Sequence, residues 1–156
     1  AVCDASEVVL RPREEDVAMT KPSITTVVRA ETPARYVQCD DGLAAIPVAW
    51  RRLEAAVGSL RGRHFLGAFD PVEGWYRACV ELADEAAAAE LALPECVLPG
   101  GPYLRLRLRG DPPELYTRLP AAFELLASRA EWDPGRPSLE RYRRVDRVDA
   151  LLPVAQ

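Results

Sequence analysis

The sequence is poor in the residues that build metal centres and hydrolytic triads. It has one histidine, His64, and its four cysteines (Cys3, Cys39, Cys79 and Cys96) share no CxxC spacing. Zinc and iron sites combine several such ligands at short spacing. We therefore expect no metal, no other cofactor and four reduced thiols. A single histidine also limits nucleophilic triads to one base, and we expect His64 to be exposed and catalytically idle.

Long hydrophobic runs and a positive charge balance are also missing. No run approaches the roughly 20 apolar residues of a membrane span, and the first twenty residues lack the basic start and apolar block of a secretion signal. These absences predict a cytoplasmic protein without a membrane partner. The net charge of −4 argues against general nucleic-acid binding, which needs a clustered positive field.

The chain has 156 residues, of which 49% are hydrophobic, so it can bury the core of one ordinary domain. Residues 1–18 show no sustained hydrophobic period, and we expect a flexible leader there. The remaining residues, 19–156, are predicted to form a single domain.

A short helical pattern occurs twice. Ile46–Leu53 (IPVAWRRL) recurs as Leu119–Leu126 (LPAAFELL) at an offset of 73 residues. Each copy lies between extended stretches, so we predict an α+β fold of two β-α-β-β modules related by a pseudo-twofold axis. An antiparallel sheet would carry two helices on one face, with a groove between the modules. Module one would span about 22–82 and module two about 98–156, joined by a connector at 83–97.

Hydrophobic periodicity gives approximate element bounds. Pro153 fits an edge strand better than a central one, because proline cannot donate to a sheet ladder. We predict one extended stretch at 24–39, a helix at 43–60, and strands at 65–69, 75–82, 103–109, 138–143 and 150–154.

Glu140 and Tyr142 lie two apart on a predicted strand and so share a face. A carboxylate beside aromatic surface attracts flat or lipophilic cations; a solvent-facing strand glutamate is the alternative. Trp50 lies on the apolar stripe of its helix, which favours a core role, but it could also contact a ligand. Further residues that could line a groove are Trp75, Arg77, Cys79, Tyr103 and Trp132.

Six short segments carry a resemblance when they are taken together. They are Trp75–Glu81, Leu98–Tyr103, Arg109-Gly110, Pro120–Phe123, Leu139–Tyr142 and Leu152–Val154. In this order and spacing, across about residues 22–154, they resemble the GyrI-like small-molecule-binding family. That family includes the effector-binding domains of AraC-type and MerR-type multidrug-responsive regulators.

The resemblance implies a fold of two SHS2-type modules with lipophilic, aromatic and often cationic ligands in the groove between them. It also implies that Glu140, followed by Tyr142, makes the central acidic contact. Arg77 departs from the family pattern, because regulators usually have an aspartate there. If Arg77 lines the groove, it could pair with Glu140 and favour neutral or zwitterionic ligands.

No helix-turn-helix pattern precedes the domain, which favours a stand-alone protein that binds or senses hydrophobic xenobiotics or toxins. Two alternatives stay open. One is a hydrolase that opens strained electrophilic rings, with Glu140 as general base, Tyr142 or Tyr103 as proton donor, and Glu81 as a candidate second carboxylate. The other is a protein-interaction inhibitor module. The sequence does not decide between a monomer and a homodimer.

Overall fold

The computed structural model describes residues 23–40 and 42–156, so the leader expected at 1–18 lies outside the described residues. The described part contains three α-helices, which are α1 (Ala45–Val57), the short α2 (Glu114–Thr117) and α3 (Leu119–Ala127). It also contains a one-turn 3-10 helix at Glu90–Ala92. The strands are β1 (Ile24–Arg29), β2 (Thr32–Asp40), β3 (Phe65–Asp70), β4 (Trp75–Glu81), β5 (Glu95–Leu98), β6 (Gly101–Arg109), β7 (Ser138–Arg144) and β8 (Arg147–Pro153).

These strands form one antiparallel sheet in the order β1-β6-β8-β7-β3-β4-β2-β5. The first module, β2-α1-β3-β4, contributes the order β3-β4-β2. The second module, β6-α2-α3-β7-β8, contributes β7-β8-β6, and the two halves meet where β3 pairs with β7. The predicted α+β fold with two β-α-β-β modules is therefore confirmed.

Strands β1 and β5 each pair with a strand of the half opposite to the one that the chain joins them to, which the sequence did not predict. Residues 30 and 31 join β1 to β2, yet β1 pairs with β6 of the second half. In the same way β5 pairs with β2 and runs into β6 after two residues. The single extended stretch predicted at 24–39 is wrong, because it contains two strands at different places in the sheet. The region predicted as a connector, 83–97, contains most of β5.

The two short connections require the sheet to curl, because each joins strands from opposite halves. They also pack closely together: a Cβ on Gly100 would lie 2.5 Å from the carbonyl oxygen of Arg29 and 2.9 Å from the amide nitrogen of Glu31. The result is a half-barrel with one concave and one convex face. A glycine at position 100 lets the two connections approach each other.

Hydrophobic residues fill three clusters. Helix α1 packs on the convex face of the first half through Ala49, Leu53 and Val57, and α3 packs on the second half through Ala122 and Leu126. Each fully buried leucine contributes about 1.5–3 kcal/mol to folding. The concave face holds the third cluster, whose buried members are Ala34, Leu66, Ala68, Cys79, Leu98, Tyr103, Leu139 and Leu151.

Glycine and proline set the helix boundaries. Helix α1 ends at Val57 because Gly58 takes a φ of 81° and donates its N–H to the carbonyl of Glu54 at 3.1 Å. Pro120 has no N–H to continue a helix from the preceding turn, so α2 ends at Thr117 and α3 begins at Leu119 with the proline in its first turn.

None of the helices in the described part of the chain is long and apolar enough to cross a membrane.

The edge position predicted for Pro153 is wrong. It is the last residue of β8, which lies between β6 and β7. Its carbonyl oxygen accepts a hydrogen bond from the backbone N–H of Asp133 at 3.0 Å. The nitrogen of Pro153 points to the same side of the strand as this carbonyl, so it faces the loop before β7. The missing N–H therefore removes no hydrogen bond from the sheet.

Candidate functional site

Glu140 lies at the centre of the convex face, between the helices of the two modules. It stands on β7 directly opposite Gly67 of β3, and only 8% of its surface is exposed. A buried carboxylate is costly unless its oxygens accept hydrogen bonds. Here Oε1 accepts from the hydroxyls of Tyr142 at 2.7 Å and Tyr76 at 2.8 Å. Glu140 is thus not a solvent-facing strand residue.

The two tyrosines hold the carboxylate through neutral hydroxyl groups. Burial first, and then the negative charge of Glu140, raise the pKa of both Tyr76 and Tyr142 well above its ordinary value. Both hydroxyls are therefore protonated near neutral pH and act as donors. The hydroxyl of Tyr76 also accepts a hydrogen bond from Nε1 of Trp50 at 2.9 Å, which links α1 to the carboxylate.

The pseudo-twofold axis passes through the Gly67–Glu140 pair. The two positions are related by the same 73-residue offset as the helices, and they face each other in the β3–β7 register. A Cβ on Gly67 would overlap the Tyr76 hydroxyl and lie 2.6 Å from Oε1 of Glu140. Only one of the two equivalent positions can carry a side chain, so the axis holds a single carboxylate.

Aromatic pairs from both modules flank Glu140 symmetrically. Trp50 and Tyr142 pack edge to face at 5.2 Å between ring centroids and 76° between planes. The offset of 73 residues relates them to Phe123 and Phe69, which pack in the same way at 5.0 Å and 89°. Such pairs contribute about 0.5–1.5 kcal/mol beyond the burial of their area. The pseudo-symmetry thus places one ring pair on each side of the carboxylate.

Three further ring contacts complete the aromatic cluster. Phe69 stacks on Tyr76 at 6.5 Å, Trp50 contacts Phe65 at 6.2 Å, and Tyr116 of α2 contacts Tyr142 at 5.8 Å. We call these rings with Glu140 the aromatic site. Its members are Trp50, Phe65, Phe69, Tyr76, Tyr116, Phe123, Glu140 and Tyr142.

The aromatic site is closed over its carboxylate. Tyr142 contacts Trp50 on one side and Tyr116 on the other, so a ligand must separate rings to reach Glu140. Tyr116 is the most open of these three, at 38% exposed. A surface cavity of about 490 Å³ lies elsewhere, beside β1 and the C-terminal residues, and its lining includes no residue of the aromatic site.

Four predicted site residues lie on the concave face, away from Glu140: Trp75, Arg77, Cys79 and Tyr103. The Arg77 guanidinium lies 4.2 Å from the ring centroid of Tyr36 and 4.5 Å from that of Trp75. Its Nε donates to Oε1 of Gln38 at 2.9 Å. The hypothesis that Arg77 pairs with Glu140 is therefore wrong, because the sheet separates the two side chains. Alternation along β4 puts Glu81 on the same concave face.

Tyr103 and Trp132 have structural neighbours of their own. The Tyr103 hydroxyl donates to the carbonyl of Pro99 at 2.9 Å, which removes it as a proton donor beside Glu140. Trp132 forms an isolated bridge with Val154 and packs at the margin of the second-half core. Its buried Nε1 has no hydrogen-bond partner among the described residues. The described residues also contain no cluster of His, Cys, Asp and Glu that could hold a metal ion.

Of the predicted site residues, the structure brings together Glu140, Tyr142 and Trp50. Sequence reasoning missed five partners, but the repeat held a signal for two of them. Phe123 is the equivalent of Trp50, and Phe69 is the equivalent of Tyr142 at the same offset. The others are Phe65, Tyr76 and Tyr116. The alternation along β4 places Tyr76 on the apolar face of the strand, but this period does not show where its hydroxyl group lies.

No protein-family model and no curated protein matches the chain. Solved structures with a similar fold include an integron cassette protein from Vibrio cholerae (12% identity, TM-score 0.67, 85% of this chain and 95% of that one). Another is SAV2435 bound to tetraphenylphosphonium (14% identity, TM-score 0.60, 85% and 94%). A third is a hydrolase from Listeria innocua (12% identity, TM-score 0.54, 91% and 97%). At these identities the likeness shows the fold alone.

Proposed function

We propose that this chain is a GyrI-like protein that binds lipophilic aromatic cations, acting in xenobiotic binding or sensing. One observation carries the proposal: a single buried carboxylate lies on the pseudo-twofold axis and is enclosed by aromatic rings from both modules. Glu140 supplies the charge, and the rings supply apolar contact area and cation–π attraction.

The site chemistry discriminates between kinds of cation. A small hydrated ion would lose its water shell on entering an aromatic site, and one carboxylate would not repay that cost. A lipophilic cation spreads its charge over a large apolar surface, so it loses little hydration and gains contact with every ring. The low local dielectric then strengthens its attraction to Glu140. We therefore expect selectivity for bulky organic cations over metal ions and ammonium.

Two further observations support the proposal. SAV2435, which shares the fold, was solved with tetraphenylphosphonium, and the six sequence segments described above resemble a family of small-molecule binders. Tetraphenylphosphonium is accordingly the first probe to test. Binding would require Tyr142 to move away from Trp50 or Tyr116, since these ring contacts close the site.

The hydrogen bonds favour binding over hydrolysis. A general base must take a proton from water, but Oε1 of Glu140 already accepts two hydroxyl protons. Ring-opening hydrolysis remains the alternative function, and product analysis with an electrophilic ring compound tests it directly.

The test is a titration of tryptophan fluorescence with tetraphenylphosphonium, because Trp50 lies in the site. We expect saturable binding to the wild type and at least about tenfold weaker binding to Glu140→Gln, equivalent to about 1.4 kcal/mol. The amide oxygen can still accept from both tyrosines, so the fold should persist, and circular dichroism checks this. Glu81→Gln makes the same charge change on the concave face and should leave the affinity unchanged.

Equal affinity in the wild type and Glu140→Gln would remove the proposed role of the carboxylate. A neutral aromatic compound provides the matched ligand control, because its affinity should depend much less on Glu140. Turnover of an electrophilic substrate that is lost in Glu140→Gln would instead assign the chain to the hydrolases.

A further inference from the structure

Arginine side chains cover the concave face of the second half. Alternation along β6, β7 and β8 turns six of them to the same side as the buried Tyr103, Leu139 and Leu151. They are Arg105, Arg107 and Arg109 of β6, Arg141 and Arg143 of β7, and Arg147 of β8, and we call them the arginine face. Asp149 is the only acidic residue that these three strands turn to this side. The arginine face is therefore strongly positive in a chain whose net charge is −4.

Two carboxylates reach the arginine face. Oδ1 of the buried Asp149 lies 3.4 Å from Nε of Arg107, and its Oδ2 lies 3.7 Å from Nη1 of Arg143. Asp146, in the turn between β7 and β8, lies 4.0 Å from Nε of Arg147. The remaining three arginines have no ion-pair partner among the described residues, and they are Arg105, Arg109 and Arg141.

The strand register places like charges side by side. Arg109 and Arg147 are directly opposite each other on β6 and β8, and like charges at such positions are destabilising. Nε of Arg147 is also buried without a hydrogen-bond acceptor among the described residues, since the Asp146 oxygen at 4.0 Å is beyond hydrogen-bond distance. An anion bound over these arginines would offset the repulsion between them.

The dimensions of the arginine face fit an extended chain better than a compact anion. Strand residues four apart are separated by about 13 Å, so Arg105 and Arg109 are too far apart for one small anion. Strands β6 and β7 lie on either side of β8, which separates them by two strand spacings, or about 10 Å. Alternate side chains of an extended peptide repeat every 6.6–6.8 Å or so, which is also the spacing along β6 of Arg105, Arg107 and Arg109. Carboxylates on such a peptide would accept the paired N–H groups of arginine.

The aromatic rings of the concave face argue against single-stranded nucleic acid as the partner. Proteins that bind it stack successive bases on open ring faces. Here the guanidinium of Arg136 lies 4.8 Å from the ring centroid of the buried Tyr103, and that of Arg77 lies against both Tyr36 and Trp75. Guanidinium groups thus already occupy these rings, and the arginine face offers charge without a stacking surface.

We propose that the arginine face binds an acidic peptide segment of a protein partner, in extended conformation and with aspartate or glutamate at alternate positions. Carboxylates on one side of the segment contact Arg105, Arg109 and Arg141, the three arginines that lack a partner. Arg107 and Arg143 stay paired with Asp149. The arginine face and Glu140 lie on opposite sides of the sheet, so the peptide and a lipophilic cation occupy separate sites.

The test measures the fluorescence anisotropy of a dye-labelled peptide titrated with the full-length chain. The probe alternates glutamate and threonine over about eight residues, which is longer than the arginine face. One control peptide has glutamine in place of glutamate, and a second has the residues of the probe sorted into an acidic half and a neutral half. We expect saturable binding of the probe and none of the glutamine peptide. The sorted peptide should bind at least about threefold more weakly, because an extended chain turns only half of its contiguous glutamates to one side.

Variants of the chain locate the binding surface. Arg105→Gln/Arg109→Gln removes two unpartnered cations and should weaken binding of the probe at least about fivefold. Arg51→Gln/Arg52→Gln makes the same charge change at exposed positions of α1 and should leave the affinity unchanged. Circular dichroism checks that both variants fold. Raising the salt concentration from about 0.1 M to about 1 M shortens the screening length from about 10 Å to about 3 Å and should remove most of the binding. This measurement uses the wild type, so it remains a test if a variant folds poorly.

Absence of saturable binding, equal affinity for the probe and the sorted peptide, or unchanged affinity in Arg105→Gln/Arg109→Gln would overturn the proposal. So would tighter binding of a single-stranded oligonucleotide of the same charge, which would assign the arginine face to nucleic acid. Tetraphenylphosphonium titration of Arg105→Gln/Arg109→Gln distinguishes this surface from the aromatic site, because loss of the two arginines should leave binding at Glu140 intact.

Discussion

At the scale of single residues, the absence of a side chain at position 67 is as important as the presence of one at position 140. Cross-strand neighbours on one face lie about 4.5–5.5 Å apart at Cβ, and Glu140 with its two tyrosine donors fills that space. The contacts a Cβ would make at Gly67 explain why a glycine fits here. The absence of a side chain at Gly67 thus leaves the space that Glu140 and its tyrosine donors occupy.

Gly67→Ala should therefore destabilise the protein and weaken cation binding together. The added methyl group must displace the Tyr76 hydroxyl and Glu140, and overpacking of this kind costs about 1–3 kcal/mol. Chemical denaturation measures the free energy of unfolding, and fluorescence titration measures the affinity. Gly42→Ala is the matched control, because a Cβ there meets nothing within 4 Å. A Gly67→Ala variant of unchanged stability and affinity would contradict this account of the site.

At the scale of elements, the 3-10 turn Glu90–Ala92 is fixed to the start of β3 by an ion pair. The two guanidinium nitrogens of Arg63 contact the two oxygens of Glu90 at 3.0 and 2.7 Å, and Glu90 is fully buried. A nearby hydrogen bond from Arg35 to the carbonyl of Leu93 measures 3.2 Å. These contacts position the segment that leads into β5.

This ion pair predicts a specific dependence of stability on pH. The hydrogen bonds from Arg63 lower the pKa of Glu90, whereas in the unfolded chain a glutamate titrates near about 4.3. The stabilisation is therefore fully present above about pH 4.3 and is lost as pH falls through the lower pKa of the folded state. Glu90→Gln should flatten the curve of unfolding free energy between about pH 5 and 3. It should also lower stability at pH 7 by about 3 kcal/mol, because it leaves Arg63 without its charge partner.

Glu95→Gln is the control for this prediction. Its pair with Arg35 is more exposed, so the change should cost less than about 1 kcal/mol at pH 7. A residual slope in Glu90→Gln is expected from Asp133, whose pKa is lowered by Arg136 and by the backbone N–H of Gly135. An acid slope in Glu90→Gln equal to that of the wild type would show that Glu90 is not its source.

At the scale of the whole molecule, the two modules are joined more tightly than by a single strand pair. The β3–β7 ladder joins them at the centre, and β1 and β5 each pair with a strand of the opposite half. The concave cluster takes side chains from both halves, including Leu66, Leu139 and Leu151. Because neither half buries its concave face alone, we propose that the domain folds as one cooperative unit.

Single-module reporters test this cooperativity. Trp132→Phe leaves Trp50 and Trp75 to report on the first module, and the double variant Trp50→Phe/Trp75→Phe leaves Trp132 to report on the second. In each variant, the midpoint of urea unfolding followed by fluorescence should coincide with the midpoint followed by circular dichroism. A fluorescence midpoint that differs from the circular dichroism midpoint within one variant would mean that the modules unfold separately.

The sequence by itself determined the duplicated architecture and the shared face of Glu140 and Tyr142. Both follow from local regularities: a period of two fixes which strand residues share a face, and the offset of 73 residues pairs the two helices. The same offset, carried further, relates Trp50 and Tyr142 to Phe123 and Phe69. These properties need no knowledge of which strands pair.

Only the tertiary structure decided which face each strand turns toward the helices and which strands exchange between the halves. It placed Arg77 away from Glu140 and brought the Tyr76 hydroxyl to the carboxylate. Both depend on pairing between residues far apart in the chain, such as Gly67 with Glu140. Local periodicity carries no information on such pairings, because the register and curl of the whole sheet fix them.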